Sequence, residues 1–182
     1  TPAFTLAWNH TAGELHVVSQ GEPATLAYDA LILCAGATDR LMPVPGWHRA
    51  GCYSLGASQI ALKAQACAIG SQVVFMGSGP LLYLVASQYV QAGAKVVAVL
   101  DTAPASKPWK AITGLLARPT LALRGVGLIR GLRAAGVPVL QGITPVQIDG
   151  DDALGVQAVA VRTAQGAIQR FECDAVGLGW HL

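Results

Sequence analysis

The sequence predicts an α/β protein, a parallel sheet with helices on both faces and small antiparallel β meanders attached. Three observations predict it. The runs Val73–Met76 and Val96–Leu100 are continuously apolar, as in strands buried on both faces. A helical pattern lies between them, through Leu81, Leu82, Leu84, Val85, Gln88, Tyr89 and Ala92, and Gly93 is placed to end it. Strand, turn, helix and strand thus fit within about thirty residues, the size of a βαβ unit. Third, the 182 residues are 53% hydrophobic and only 12% charged, with a mean hydropathy of +0.47. Such a composition suits a sheet with no wet face. It also implies apolar surface covered by further chain or by a partner.

The turn inside this unit is Gly77-Ser78-Gly79-Pro80. A first glycine allows a tight turn off the strand, and a second lets the backbone approach a pyrophosphate. The helix then begins with free N–H groups and the positive end of its dipole toward the phosphates. Gly77, Ser78, Gly79, Pro80 and Leu81 are therefore candidate pyrophosphate contacts, with Ser78 a hydroxyl donor. Asp101 ends the second strand, 24 residues after Gly77, where an acid can bind ribose hydroxyls. An acid there repels a 2′-phosphate and no Arg follows it directly, which favours NAD(H) over NADP(H). The pattern is Rossmann-like, with one departure. The third glycine of G-x-G-x-x-G is replaced by Leu82, which is expected to hold the helix off the sheet or shift its register. Three readings stay open: an NAD(H) site, an ADP or ATP regulatory site in the same cleft, and a structural or assembly module that has lost its nucleotide.

The remaining elements follow in order. Ala3 to Thr25 reads as a small antiparallel meander, with turns at Asn9–Gly13 and Ser19–Pro23. Tyr28–Gly36 reads as a buried strand ending in glycine, and Leu41–Gly46 is too proline-rich to be regular. Trp47–Tyr53 is a connector, and Ser54–Ala68 a helix ended by Gly70. After Asp101 come a loop, a long helical region broken near Pro119 (Trp109–Ala117, then Leu121–Ala135) and a third parallel strand at Gly136–Leu140. Val146–Asp149, Val156–Arg162 and Ile168–Phe171 form a second meander, and Cys173–Leu182 a last strand running into glycines.

Other chemistry finds little support. The net charge is +2, and the basic cluster between Lys107 and Arg133 has only Trp109 near it as an aromatic platform, so nucleic acid is not an expected partner. No transmembrane segment is expected: Leu81–Leu100 is interrupted by Ser87, Gln88, Gln91, Gly93 and Lys95. No signal peptide is visible. Cys34, Cys52, Cys67 and Cys173 form neither C-x-x-C nor C-x₄-C, which speaks against metal and redox-dithiol chemistry and for a reduced, cytoplasmic compartment. His10, His16, His48 and His181 have no metal spacing, and Ser54, Ser58 and Ser78 no nucleophile elbow. Lys63 and Arg40 are minor candidates for contacting a phosphate or the nicotinamide end.

Asp29, Leu31, Ile32, Gly36, Ala37, Pro43, Pro45 and Gly46 resemble the strand and proline-containing exit of flavoproteins with two dinucleotide-binding domains, the pyridine nucleotide-disulfide oxidoreductase type. Cys34-Ala35-Gly36 stands where Ala-Thr-Gly is common. The runs DALILCAGATDRLMPVPGW, GASQIALKAQA, GSGPLLYLVASQ and GLGWHL are similar to the flavin subunits of opine oxidases and the B subunit of hydrogen cyanide synthase. The resemblance implies that Leu82 is a trait of that group. It implies that residues 1–53 are the C-terminal part of an FAD domain, 54–172 an NAD(P)-binding Rossmann-like domain, and 173–182 a strand returning to the FAD domain. Ala35, Gly36 and Ala37 would lie near FAD in the full-length protein. It further implies an amine-, opine- or amino-acid-oxidising dehydrogenase with a hetero-oligomeric partner subunit, soluble or membrane-associated through that partner. The glycine fingerprint for FAD is not within these residues, so the chain by itself is expected neither to hold FAD stably nor to be a complete catalyst.

Overall fold

The computed structural model describes residues 3–9, 13–19, 21–32, 34, 36, 38–104 and 119–180. The chain divides into two compact units, Thr1–Ala37 and Thr38–Leu182. In the first, β1 (Ala3–Asn9), β2 (Glu14–Ser19) and β3 (Glu22–Ala27) form an antiparallel sheet in that order. The third strand begins where the sequence suggested only a turn. Pro23 is accommodated because β3 is an edge strand, where a missing N–H interrupts no ladder on its outer side. Tyr28–Gly36 is not a buried strand: none of its described positions is in a strand, and Ile32 is 87% exposed. An apolar run becomes a buried strand only when neighbours pair its N–H and C=O groups. No described strand pairs with this one.

The second unit is built on a parallel sheet of order β4-β11-β5-β6-β7. Its strands are β4 (Cys52–Ser54), β5 (Val73–Ser78), β6 (Val96–Asp101), β7 (Val139–Gln141) and β11 (Ala175–Trp180). Every residue of β5 and β11 is buried, as the unbroken apolar runs require. β4 falls in the expected connector; three residues are too few to show a period. The last strand, β11, lies inside this sheet between β4 and β5.

The two faces of the sheet are covered differently. Val73, Phe75, Val99 and Ala175 point to one face. There they pack with Leu55 of α1 (Leu55–Ala64), Leu82, Val85, Ala86 and Tyr89 of α2 (Pro80–Gln91), and Leu132 of α3 (Pro119–Ala134). Val74, Met76, Ala98, Leu100, Val176 and Leu178 alternate to the other face. That face is covered by Ile148, Val156, Val159 and Val161 from the antiparallel sheet of β8 (Thr144–Asp151), β9 (Gly155–Arg162) and β10 (Ile168–Glu172). Among the described residues, then, helices cover one face and a meander the other, in place of helices on both. The two cover layers are alike in apolarity, so composition does not tell them apart.

α1 starts at the Ser54 cap, whose hydroxyl accepts the Ala57 N–H at 3.0 Å, and ends at Ala64, before the expected Ala68 and Gly70. Ala66 already has a positive φ of 52°, incompatible with continuing the helix. α3 begins at Pro119, where proline suits a first helical turn. The expected helix Trp109–Ala117 lies outside the described residues.

Candidate functional site

The parallel strands all end on one edge, at Ser54, Trp180, Ser78, Asp101 and Gln141. Ligands of open α/β sheets bind outside the carboxyl ends of the strands. Register sets Gly77 between Gly179 and Asp101, and Asp101 between Gly77 and Gln141. The glycine turn and the acid singled out by sequence are therefore brought together.

Gly77 has a packing reason of its own. A Cβ there would lie 1.8 Å from the Gly179 carbonyl oxygen of the adjacent strand. Gly79 is the N-cap of α2 with φ 95° and ψ 176°, a conformation only glycine adopts without strain. Pro80 occupies the first helical position, and no side chain caps the helix. The amides of Leu81 and Leu82 therefore open the helix with no side-chain acceptor, an arrangement that fits a phosphate group. Ser78 is 8% exposed. Leu82 is fully buried in the helix-side core, so its extra volume is absorbed by packing.

Asp101 is placed otherwise than an open ribose acceptor would be. It is 4% exposed. One carboxylate oxygen accepts the Tyr83 hydroxyl, and the other accepts the Ala103 N–H at 2.8 Å. Gln141 Nε2 donates to the Tyr83 oxygen at 3.0 Å. Burial, the bond to Asp101 and the nearby carboxylate charge all raise the Tyr83 pKa, so its proton stays on at any physiological pH. The edge thus offers free amides at the start of α2, while the acid beside them is engaged by the protein's own groups.

Sequence reasoning missed Tyr83 and Gln141, and also the contacts that close the edge above β5. Thr102 donates through its N–H (2.8 Å) and its hydroxyl (3.1 Å) to the Gly77 carbonyl, and Trp180 Nε1 donates to the Thr102 hydroxyl at 3.0 Å. The signal for Tyr83 was present: a polar-tipped aromatic among Leu, Val and Ala on a buried helix face needs a partner for its hydroxyl.

Of the minor candidates, Lys63 lies away from this edge and Arg40 reaches it through its backbone. Lys63 is in the last turn of α1, eight residues from its start and so about 12 Å along the helix from the carboxyl edge. Arg40 contributes its backbone carbonyl, which accepts the Trp180 N–H at 2.8 Å. His16 meets Thr25 in the first unit and His48 is exposed. His10 and His181 lie outside the described residues. So do Ala35 and Ala37, while Gly36 is exposed with a φ of 77°. Among the described residues no group of His, Cys, Asp or Glu could hold a metal ion, and no helix is long and apolar enough to cross a membrane. Burial raises the Cys52 thiol to about 11 and the Cys173 thiol to about 12, so both stay protonated at neutral pH.

Residues 4–179 match the family model described as pyridine nucleotide-disulphide oxidoreductase. The chain belongs to this family. Among curated proteins, it is 37% identical over 169 residues to the A subunit of opine oxidase from Agrobacterium tumefaciens, covering 88% of this chain and 32% of that protein. It is 36% identical over 160 residues to the hydrogen cyanide synthase subunit HcnB of Pseudomonas protegens, covering 85% of this chain and 34% of that protein. The chain thus spans about a third of the length of these relatives. The fold is that of an FAD-dependent pyridine nucleotide-disulphide oxidoreductase from Desulfovibrio vulgaris (TM-score 0.61, 21% identity, 98% of this chain and 42% of that one). It is also that of the T. acidophilum thioredoxin reductase (TM-score 0.63, 15% identity, 92% of this chain and 48% of that one).

Proposed function

We propose that this chain is the pyridine-nucleotide part of an FAD- and NAD(H)-dependent oxidoreductase subunit that oxidises an amine, opine or amino acid together with a partner subunit. The observation that carries the reading is the uncapped N-terminus of α2, entered through Gly79 with Pro80 at its first position, at the carboxyl edge of the sheet. Gly77, Ser78, Gly79, Pro80 and Leu81 would face the pyrophosphate, and Asp101 the adenosine ribose. Ala35, Gly36 and Ala37 would lie near FAD in the full-length protein. Residues 1–53 would belong to the FAD domain and 54–172 to the nucleotide domain, with 173–182 leading back. NAD(H), when bound, supplies hydride transfer; this chain's residues supply its seat. The named subunits among the relatives support the substrate class and the heteromeric assembly.

A second reading is favoured by one observation, the enclosure of Asp101 by Tyr83 and Ala103. In it, the domain has lost its nucleotide and serves assembly. Calorimetric titration of the purified protein with NADH, NADPH, ADP and FAD separates the two. NADH and ADP binding is the expected outcome for the nucleotide reading. Absence of binding by all four would leave the assembly module.

A further inference from the structure

The geometry points to Tyr83 as an internal stand-in for a ribose hydroxyl, a residue that sets how strongly this edge holds the adenosine half of a nucleotide. The inference rests on the nucleotide reading of the same edge.

A ribose-binding acid works by accepting sugar O–H groups on its carboxylate. Here a phenolic O–H already fills that role on one oxygen of Asp101, and the Ala103 N–H fills the other. The phenol is fixed rather than incidental. Its residue is 8% exposed in the helix-side core, and its oxygen is held from behind by Gln141 at the end of the next strand. Tyr83 is the fourth helical residue of α2, one turn beyond Pro80 at the proposed phosphate seat. The residue that covers the acid is therefore carried by the helix proposed to bind the pyrophosphate.

The energetic consequence follows from exchange. An entering ribose would replace one O–H donor on Asp101 with another of the same kind and would leave the phenol without its acceptor. Exchange of like hydrogen bonds yields little net free energy, and an orphaned buried hydroxyl opposes it. The phosphates then carry most of the affinity. An enclosed carboxylate also does not meet a 2′-phosphate directly, so the discrimination against NADP(H) expected of an acid at this position is muted.

The test compares wild type, Tyr83→Phe, Asp101→Asn and the double variant, titrated with ADP and with adenosine 2′,5′-bisphosphate. Circular dichroism and thermal melting check the fold of each. Tyr83→Phe is expected to tighten ADP at least fivefold and to increase the preference for ADP over the 2′-phosphate. In the double variant, Asp101→Asn is expected to reverse the gain made by Tyr83→Phe. A purely structural tyrosine would give unchanged or weaker binding on removal of its hydroxyl. Equal or weaker ADP binding by folded Tyr83→Phe overturns the inference while leaving the nucleotide reading intact. Absence of binding by wild type and variant alike overturns both. If Tyr83→Phe does not fold, Gln141→Ala takes its place: ADP at least twofold tighter supports the inference, and unchanged or weaker affinity overturns it.

Discussion

Asp174 shows how one exposed carboxylate ties together the entries of two parallel strands. It precedes β11 and accepts three donors from the start of the segment leading into β5: the Ser71 hydroxyl, the Ser71 N–H at 2.9 Å and the Gln72 N–H at 2.7 Å. Burial works against its charge, but these bonds outweigh it and hold the carboxyl below its ordinary pKa of 3.8. A depressed carboxyl stabilises the fold above its unfolded-state pKa, and that contribution fades as pH falls through the folded value. Asp174→Asn is expected to cost about 1 kcal/mol, discounted for solvent exposure, or roughly 2–4 °C in melting temperature. Thermal melts from pH 7 down to pH 3 should show the two proteins converging below about pH 4. Nothing in the sequence marked Asp174 as special, because its partners are about a hundred residues away. Gly79 was legible for the opposite reason: its constraint, a positive φ at the entrance to α2, is local.

The glycine pattern carries two meanings at the level of elements. Gly79 shapes the entrance to α2, whereas Gly77 is needed for the approach of β11 to β5 even in a chain that binds nothing. The sequence motif alone merges these roles. Gly179 has a third: a Cβ there would sit 2.7 Å from Leu55 Cδ1 and 2.9 Å from its Cγ, so the bare backbone of β11 lets α1 settle on the sheet. Gly179→Ala is expected to cost about 1–3 kcal/mol by overpacking. Gly77→Ala, which meets backbone instead of side chain, should cost more. Urea unfolding of both variants checks the order, and a neutral Gly77→Ala would remove the packing argument. The βαβ unit itself was readable because its pattern is periodic and contiguous. β3 was missed because a proline on an edge strand looks like a turn, and Tyr28–Gly36 was misread because apolar content says nothing about whether neighbours are present.

For the whole molecule, the unusual hydropathy is explained by a sheet buried on both faces in the second unit. The first unit is of another kind. Val17 is buried, and all of β3 is exposed. A small three-stranded meander with a fully exposed edge strand has low local stability. Limited proteolysis should therefore cut within residues 1–37 first and leave a resistant piece beginning near residue 38, read by mass spectrometry. Early cleavage inside β5, β6 or β11 would contradict the division. The sequence located the parallel sheet, but not which layer covers which face, since strand and helix covers present the same apolar residues to it.

The bond from the Trp180 indole to Thr102 has a practical consequence. That tryptophan is 5% exposed and reaches across the end of β5, where the glycine turn begins. A shielded indole emits at shorter wavelength than an exposed one, and its emission shifts when its hydrogen-bond partner moves. The protein therefore carries an optical reporter at the rim of its own cleft, and Trp180→Phe would isolate that signal from the other tryptophans without any attached label.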